Sequence, residues 1–203
     1  LAALAAAPTW PAEALAALPG HVRGVVLARW AHGMRQRFGN AIIEAVRADL
    51  RIAGFDDAAL PDDPTPRSWL PIGLPTALTT ALVMRAYAGE WRALAEPLHI
   101  DAVAAIPLAG KLALRVGGVR GVASQIDRIH RAAYDVGEAS ALLSDGALRV
   151  DVRGSALFAC PAWQIMQIFA LGSMVRLCGS QPGAGLVSTL GEDGATLQVA
   201  VRG

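Results

Sequence analysis

Ala147-Leu148-Arg149-Val150-Asp151-Val152 places Leu148, Val150 and Val152 on one side of the chain and Arg149 and Asp151 on the other. That period of two marks a half-buried strand. Working outward, Ser144-Asp145-Gly146 supplies a tight turn to a preceding strand, and an uncharged run follows over 154–175, with Trp163, Ile165, Met166, Ile168, Phe169, Leu171 and Met174. Residues 186–190 and 196–201 then read as two more strands, joined by Gly191-Glu192-Asp193-Gly194. The expected order is β-β-α-β-β, a small antiparallel sheet with one apolar helix inserted in it.

Composition sets the outer bounds. The chain has 203 residues, 54% hydrophobic and only 17% charged, against about 25% charged in ordinary globular domains. Such a chain folds, and it carries more apolar surface than one small core absorbs. Its net charge of +1 comes from interspersed acids and bases. No field is present to gather nucleic acid. Cys160 and Cys178 fall near opposite ends of the apolar helix, about 27 Å apart at helical rise, too far for a disulfide. A reducing, cytoplasmic setting is the expectation. The run 154–175 is long enough to raise the question of a membrane span. Pro161, Gln164, Gln167 and the flanking amphipathic strands argue instead for a buried helix, so an integral span is not expected.

Upstream, 1–20 is Ala/Pro-rich and reads as a leader or a docking helix over 12–18, without the basic region of a secretory signal. Residues 21–203 read as one α+β domain, helical over about 22–134 and sheet-forming over about 135–203. Val22, Val25, Val26, Trp30, Met34 and Phe38 recur at threes and fours and predict a helix ending at Gly39. Asn40 caps a second helix through Ile42, Ile43, Val46 and Leu50, ended by Gly54. The stretch 56–66, with three prolines and four aspartates, predicts a loop. Its acids lack the spacing of a calcium loop. A helix is predicted over 68–89, with Pro71 and Pro75 in first turns and Leu78, Leu82 and Tyr87 inward. A further segment covers 91–98. An apolar helix over 101–116 is broken by Gly117-Gly118, and another follows over 119–134.

Little in the chain announces chemistry. His21, His32, His99 and His130 form no zinc spacing; His99 and His130 are the candidates for an axial ligand in an apolar pocket. Pro161 at a first helical position makes Cys160 the N-cap, where a helix dipole favours a thiolate, but no partner base is legible. Gly117-Gly118-Val119-Arg120-Gly121 follows a helix and lacks the Lys-Ser/Thr of a phosphate loop. Arg149, Asp151 and Arg153 share the solvent face of a strand. The strongest functional feature is the helix around Trp163, apolar on nearly every side, which needs cover from the sheet, the other helices, a second subunit or a bound apolar ligand.

Val22-Arg23-Gly24-Val25-Val26, Leu60-Pro61 with Trp69, and the long apolar helices before a β-β-α-β-β end resemble a bacterial paralogous family of unknown function, of about this length and multiplied in myxobacteria. More remotely, 149–201 is similar to the fold shared by haem-based nitric-oxide sensors, vinyl-reductase-like ligand domains and TRAPP subunits. The resemblance implies an internal apolar cavity used for sensing or assembly. The haem sensors' Tyr-x-Ser-x-Arg motif is replaced here by Val150-Asp151-Val152-Arg153-Gly154-Ser155, and the vinyl-reductase-like cysteines are missing, so no cofactor is expected, haem being the one alternative. TRAPP subunits can carry an acyl chain on a cysteine, for which Cys160 is the analogue.

The expectation is therefore a non-catalytic sensory or regulatory module that forms a homodimer or docks a protein partner. It would hold a small apolar ligand or acyl chain beside Trp163, Met166, Phe169 and Leu171, with Cys160 at the mouth. A scaffold subunit without ligand, and a thiol-dependent enzyme or redox sensor using Cys160, are the alternatives.

Overall fold

Asp145 and Gly146 adopt positive φ, 49° and 68°, the pair that a two-residue turn of matching twist requires. They join β3 (Glu138–Ser144) to β4 (Ala147–Arg153), with Ser144 opposite Ala147. β4 pairs with β6 (Ala195–Arg202), and β6 with β5 (Gln181–Thr189), giving an antiparallel sheet in the order β3-β4-β6-β5. This computed structural model describes residues 9–55, 67–105 and 108–202. The alternation read from the sequence holds: Leu148, Val150 and Val152 point inward with Ala195, Leu197 and Val199, while Arg149 faces solvent.

The helix α6 (Pro161–Leu177) crosses the inner face, with Cys160 as its N-cap and Pro161 in its first turn. Trp163, Ile165, Met166, Ile168, Leu171 and Val175 are all buried along it. β5 approaches closely because Gly185 has no side chain; a Cβ there would lie 2.5 Å from Ile168 Cγ2. The other sides of α6 are covered by helices α4 (Ala95–Ala105) and α5 (Leu108–Ala133). The apolar circumference of α6 is thus largely absorbed within one chain. Cys160 and Cys178, at its two ends, are free and buried.

The N-terminal half departs from the sequence reading in two places. Val22 and Pro71 do not belong to helices: β1 (His21–Arg23) and β2 (Trp69–Pro71) form an antiparallel ribbon, Val22 opposite Leu70. Arg23 stacks on Trp69, its guanidinium carbon 3.9 Å from the ring centroid. The ribbon forms because Val22 and Leu70 bury side by side, and because a proline inside a helix would remove a backbone donor. Helix α2 (Gly24–Ile52) is two helical segments that meet at a non-helical Gly39 (φ 73°), the break expected there. Gly54 closes it in a left-handed conformation (φ 91°). Helix α3 (Leu74–Ala86) starts on Pro75 and is buried on nearly every side. The apolar stretch read as one helix over 101–116 is shared between α4 and α5, while the break read at Gly117-Gly118 is present, α5 being two segments that meet at a non-helical Gly118 (φ 59°). The expected loop 56–66 and the side chains of Val26 and Trp30 lie outside the described residues. Among the described residues no helix is long and apolar enough to cross a membrane.

The short helix α1 (Ala12–Ala16) rests on α3 through Leu15, 1% exposed. Arg37 reaches from α2 to Asp101 of α4 through two hydrogen bonds, 2.6 and 3.1 Å, and binds those helices together. At the far end, His21 Nδ1 donates to Asp135 Oδ2 at 2.7 Å, and the His21 backbone N–H donates to the same carboxylate. Burial pushes the Asp135 carboxyl up, but the His21 hydrogen bonds and charge outweigh it and hold the group below the ordinary carboxylate range. A carboxyl lowered on folding stabilises the protein above its unfolded pKa, and that contribution is lost as pH falls below about 4. Both side chains are more than a third exposed, 53% and 36%, so the pair contributes no more than about 1 kcal/mol. Asp135→Asn is expected to flatten the acid limb of an unfolding curve followed by circular dichroism. An unchanged limb would remove the ribbon clamp from the account.

Candidate functional site

Beneath α6 lies a cavity of about 280 Å³, at the small end of the usual ~300–1,000 Å³ of ligand sites. Its walls come from four places. α6 contributes Trp163, Met166, Gln167, Ala170, Leu171 and Met174; α5 contributes Ile126, Ile129, His130 and Ala133, continued by Tyr134. The sheet supplies Ala139, Val150, Val152 and Leu197, and Phe158 and Leu98 complete the lining. The α6 residues fall at spacings of three, four, seven, eight and eleven, which is one face of a helix. Ile129 is 40% exposed, and Gln167, Ala170 and Met174 are half-buried. The mouth therefore opens between α5 and α6.

One end of the cavity is aromatic. Tyr134, Phe158 and Trp163 meet edge to face, with centroids 5.9 to 6.3 Å apart, the arrangement that ring quadrupoles favour. His130 lies against Tyr134 at 4.8 Å and Phe158 at 5.9 Å. Its Nε2 is 3.0 Å from the Val136 carbonyl oxygen, which only accepts, so Nε2 carries the proton. Burial pushes the ring's pKa down despite that hydrogen bond and Asp127, and the imidazole is neutral. Burial pushes the Tyr134 phenol up, while its hydrogen bond with Gln167 works the other way. Trp163 is 2% exposed, and its Nε1–H is buried with no acceptor among the described residues. An orphaned donor of this kind costs about 1–3 kcal/mol.

Of the residues singled out in the sequence, Trp163, Met166 and Leu171 share this cavity. Phe169 lies on another face of α6 and lines a separate depression of about 190 Å³ with Ile168, Gly172 and Ser173. Cys160 is fully buried and is not part of the cavity wall. Burial pushes its thiol up, although the backbone N–H groups of Trp163, Trp10 and Ala162 donate to it and pull the other way. The N-cap position exists as expected, yet the thiol is held protonated. His99 lies outside the cavity lining, its Nδ1 buried without a partner among the described residues. Tyr134, Phe158 and Ile126 line the cavity without having been signalled by any motif.

The lining does not fit haem. No Lys or Arg is among the lining residues to meet the propionates, the His130 Nε2 is engaged by a backbone carbonyl, and the space is small. Among the described residues no cluster of three or more His, Cys, Asp or Glu is placed to hold a metal ion. What this arrangement can do is enclose an apolar molecule and offer it a few polar contacts at the aromatic end.

No protein-family model matches the chain, and no curated protein is significantly similar to it. In architecture it is similar to a solved structure, the Fe(II) unliganded H-NOX protein from K. algicida, with a TM-score of 0.56, 10% identity, and 89% of this chain and 97% of that chain covered. A point variant of the same protein superposes with a TM-score of 0.58 at the same identity and coverage. The resemblance to the haem-based nitric-oxide sensors read from the C-terminal third therefore holds for the fold, across most of the chain.

Proposed function

We propose that this chain is a non-catalytic sensory module on an H-NOX-like fold, which binds a small apolar ligand in the cavity between α5, α6 and the sheet. One observation carries the reading: a cavity of about 280 Å³ walled almost entirely by apolar side chains, of the size and kind that small-molecule sites have. Occupancy would favour one packing of α5 and α6 on the sheet through the ligand's differential affinity for that state. A second copy of the chain or a protein partner would read the change. The two unpaired buried cysteines fit a reducing compartment, the cytoplasm.

A scaffold role without ligand has its own support. Leu108, Leu112 and Val116, at 73%, 56% and 90% exposure, make an apolar stripe on the first half of α5, the sort of surface a partner covers. A thiol-dependent enzyme has less, because Cys160 is sealed and its hydrogen-bond partners are backbone groups.

Native mass spectrometry of the purified protein, with a visible spectrum of the same sample, separates these readings. An adduct released on denaturation, with no Soret band, is the expected result. A Soret band would overturn the haem-free reading of the site. A clean dimer mass without adduct, and no uptake of small apolar compounds, would leave the scaffold reading in its place.

A further inference from the structure

We propose that the first half of α5, residues 108–117, seats this protein on an anionic membrane surface, its apolar stripe entering the headgroup layer while Lys111 and Arg115 meet the lipid anions. The proposal is independent of what fills the cavity. Leu108, Leu112 and Val116 recur at every fourth position and so line one side of the helix; they are 73%, 56% and 90% exposed. Ala109 and Ala113, beside them, are exposed as well. Leu114, on the other side, is half-buried and packs against the core. The non-helical Gly118 separates this segment from the second half of α5, where Val119, Val122, Ile126 and His130 are buried. The fold thus holds a length of helix against the body with its apolar side turned outward, a surface that folded proteins keep for an interaction.

Charge names the occupant. Between Asp101 and Asp127 the sequence holds Lys111, Arg115 and Arg120 and no acid, an imbalance hidden by the net charge of +1. None of the three cations has an ion-pair partner among the described residues. Lys111 and Arg115 follow Leu108 and Leu112 by three positions, which sets them along the border of the stripe. Long cationic side chains at such a border lay their methylenes over apolar surface and keep their charges at the headgroup level. Interfacial helices bind by this combination of apolar burial and attraction to anionic lipid. A second copy of the chain fits worse. In a two-fold interface the same patch meets itself, so Lys111 and Arg115 would face their own copies with no acid between them. A protein partner draws its affinity from packed Trp, Tyr and Arg anchors, whereas this stripe is Leu, Val and Ala with its arginine at the edge.

The test floats the full chain with vesicles of pure phosphatidylcholine, and of two parts phosphatidylcholine to one part phosphatidylserine, with sedimentation velocity of the protein alone. The wild-type protein is expected to bind the phosphatidylserine vesicles about 100-fold more tightly than the neutral ones, from about fivefold per cation. Raising the salt from about 0.1 M to about 0.5 M should release it. Lys111→Gln with Arg115→Gln should weaken binding to the anionic vesicles about 30-fold. Leu112→Ser with Val116→Ser should abolish it; both side chains are more than half exposed, so the fold is retained, as circular dichroism would verify. No binding to phosphatidylserine vesicles, or binding that either double variant leaves intact, would overturn the proposal. A dimer dispersed by the serine variant, with no vesicle binding, would overturn it in favour of a protein interface. None of these outcomes touches the cavity reading, which stands or falls on the adduct.

Discussion

Trp163→Ala is expected to lower the stability of the fold by about 3–5 kcal/mol, the range found for truncating a buried large aromatic. In a chain of this size that corresponds to a drop of about 6–20 °C in Tm. The side chain is 2% exposed and meets both Tyr134 and Phe158 edge to face, at 6.3 and 6.2 Å. Removing it opens new space next to a cavity that already exists, so neighbouring side chains have no tight packing to relax into. Trp163→Phe is a different experiment. It keeps a ring against those neighbours and deletes the unpaired Nε1–H, so loss of volume and relief of the orphaned donor act in opposite directions. The expected change is within about 1.5 kcal/mol. Thermal unfolding by near-ultraviolet circular dichroism checks both. An alanine variant less than about 1 kcal/mol below wild type would mean that the aromatic end of the cavity is not packed as described.

The contrast between those two variants was not legible in the sequence, and the reason is physical. Pro161 after Cys160 announces the start of α6, and the period of two around Val150 announces β4, because each signal is local. Ser144-Asp145-Gly146 announces its hairpin for the same reason. A helix apolar all round, however, carries no sign of which face meets what. Trp163, Met166 and Leu171 fell on the cavity face and Phe169 on another, although all four are equally apolar by residue type. Tyr134 and Phe158 arrive from different elements and become neighbours only in the tertiary structure. The β1–β2 ribbon was missed because three-residue strands leave no period to read, and Val22 finds Leu70 across nearly fifty positions. Gly39 and Gly118 marked breaks that the structure keeps, each a non-helical residue between two helical segments, because a glycine's freedom of φ is a local signal.

Gly73→Ala should detach the N-terminal strap from the body and, at a distance, unseal Cys160. Gly73 precedes α3, and a Cβ at that position would run into the Leu15 carbonyl oxygen of α1. The backbone there cannot yield cheaply, because Leu15 is 1% exposed beneath it. A five-residue helix has no stability of its own; α1 exists because Leu15 is buried. Losing that burial costs about 1.5–3 kcal/mol. The same segment carries Trp10, whose backbone N–H donates to the Cys160 thiol at the start of α6. Displacing α1 removes that contact and lets solvent toward a cysteine that is otherwise fully buried. The expected result is faster labelling of Cys160 by a small thiol reagent at neutral pH, mapped by mass spectrometry. Leu15→Ala should produce the same increase, and the double variant should be no less stable than the worse of the two, because both act by freeing one segment. Additive destabilisation, or Cys160 labelling that stays at the wild-type rate in a strap-displaced variant, would show that the strap and the N-terminus of α6 are not coupled.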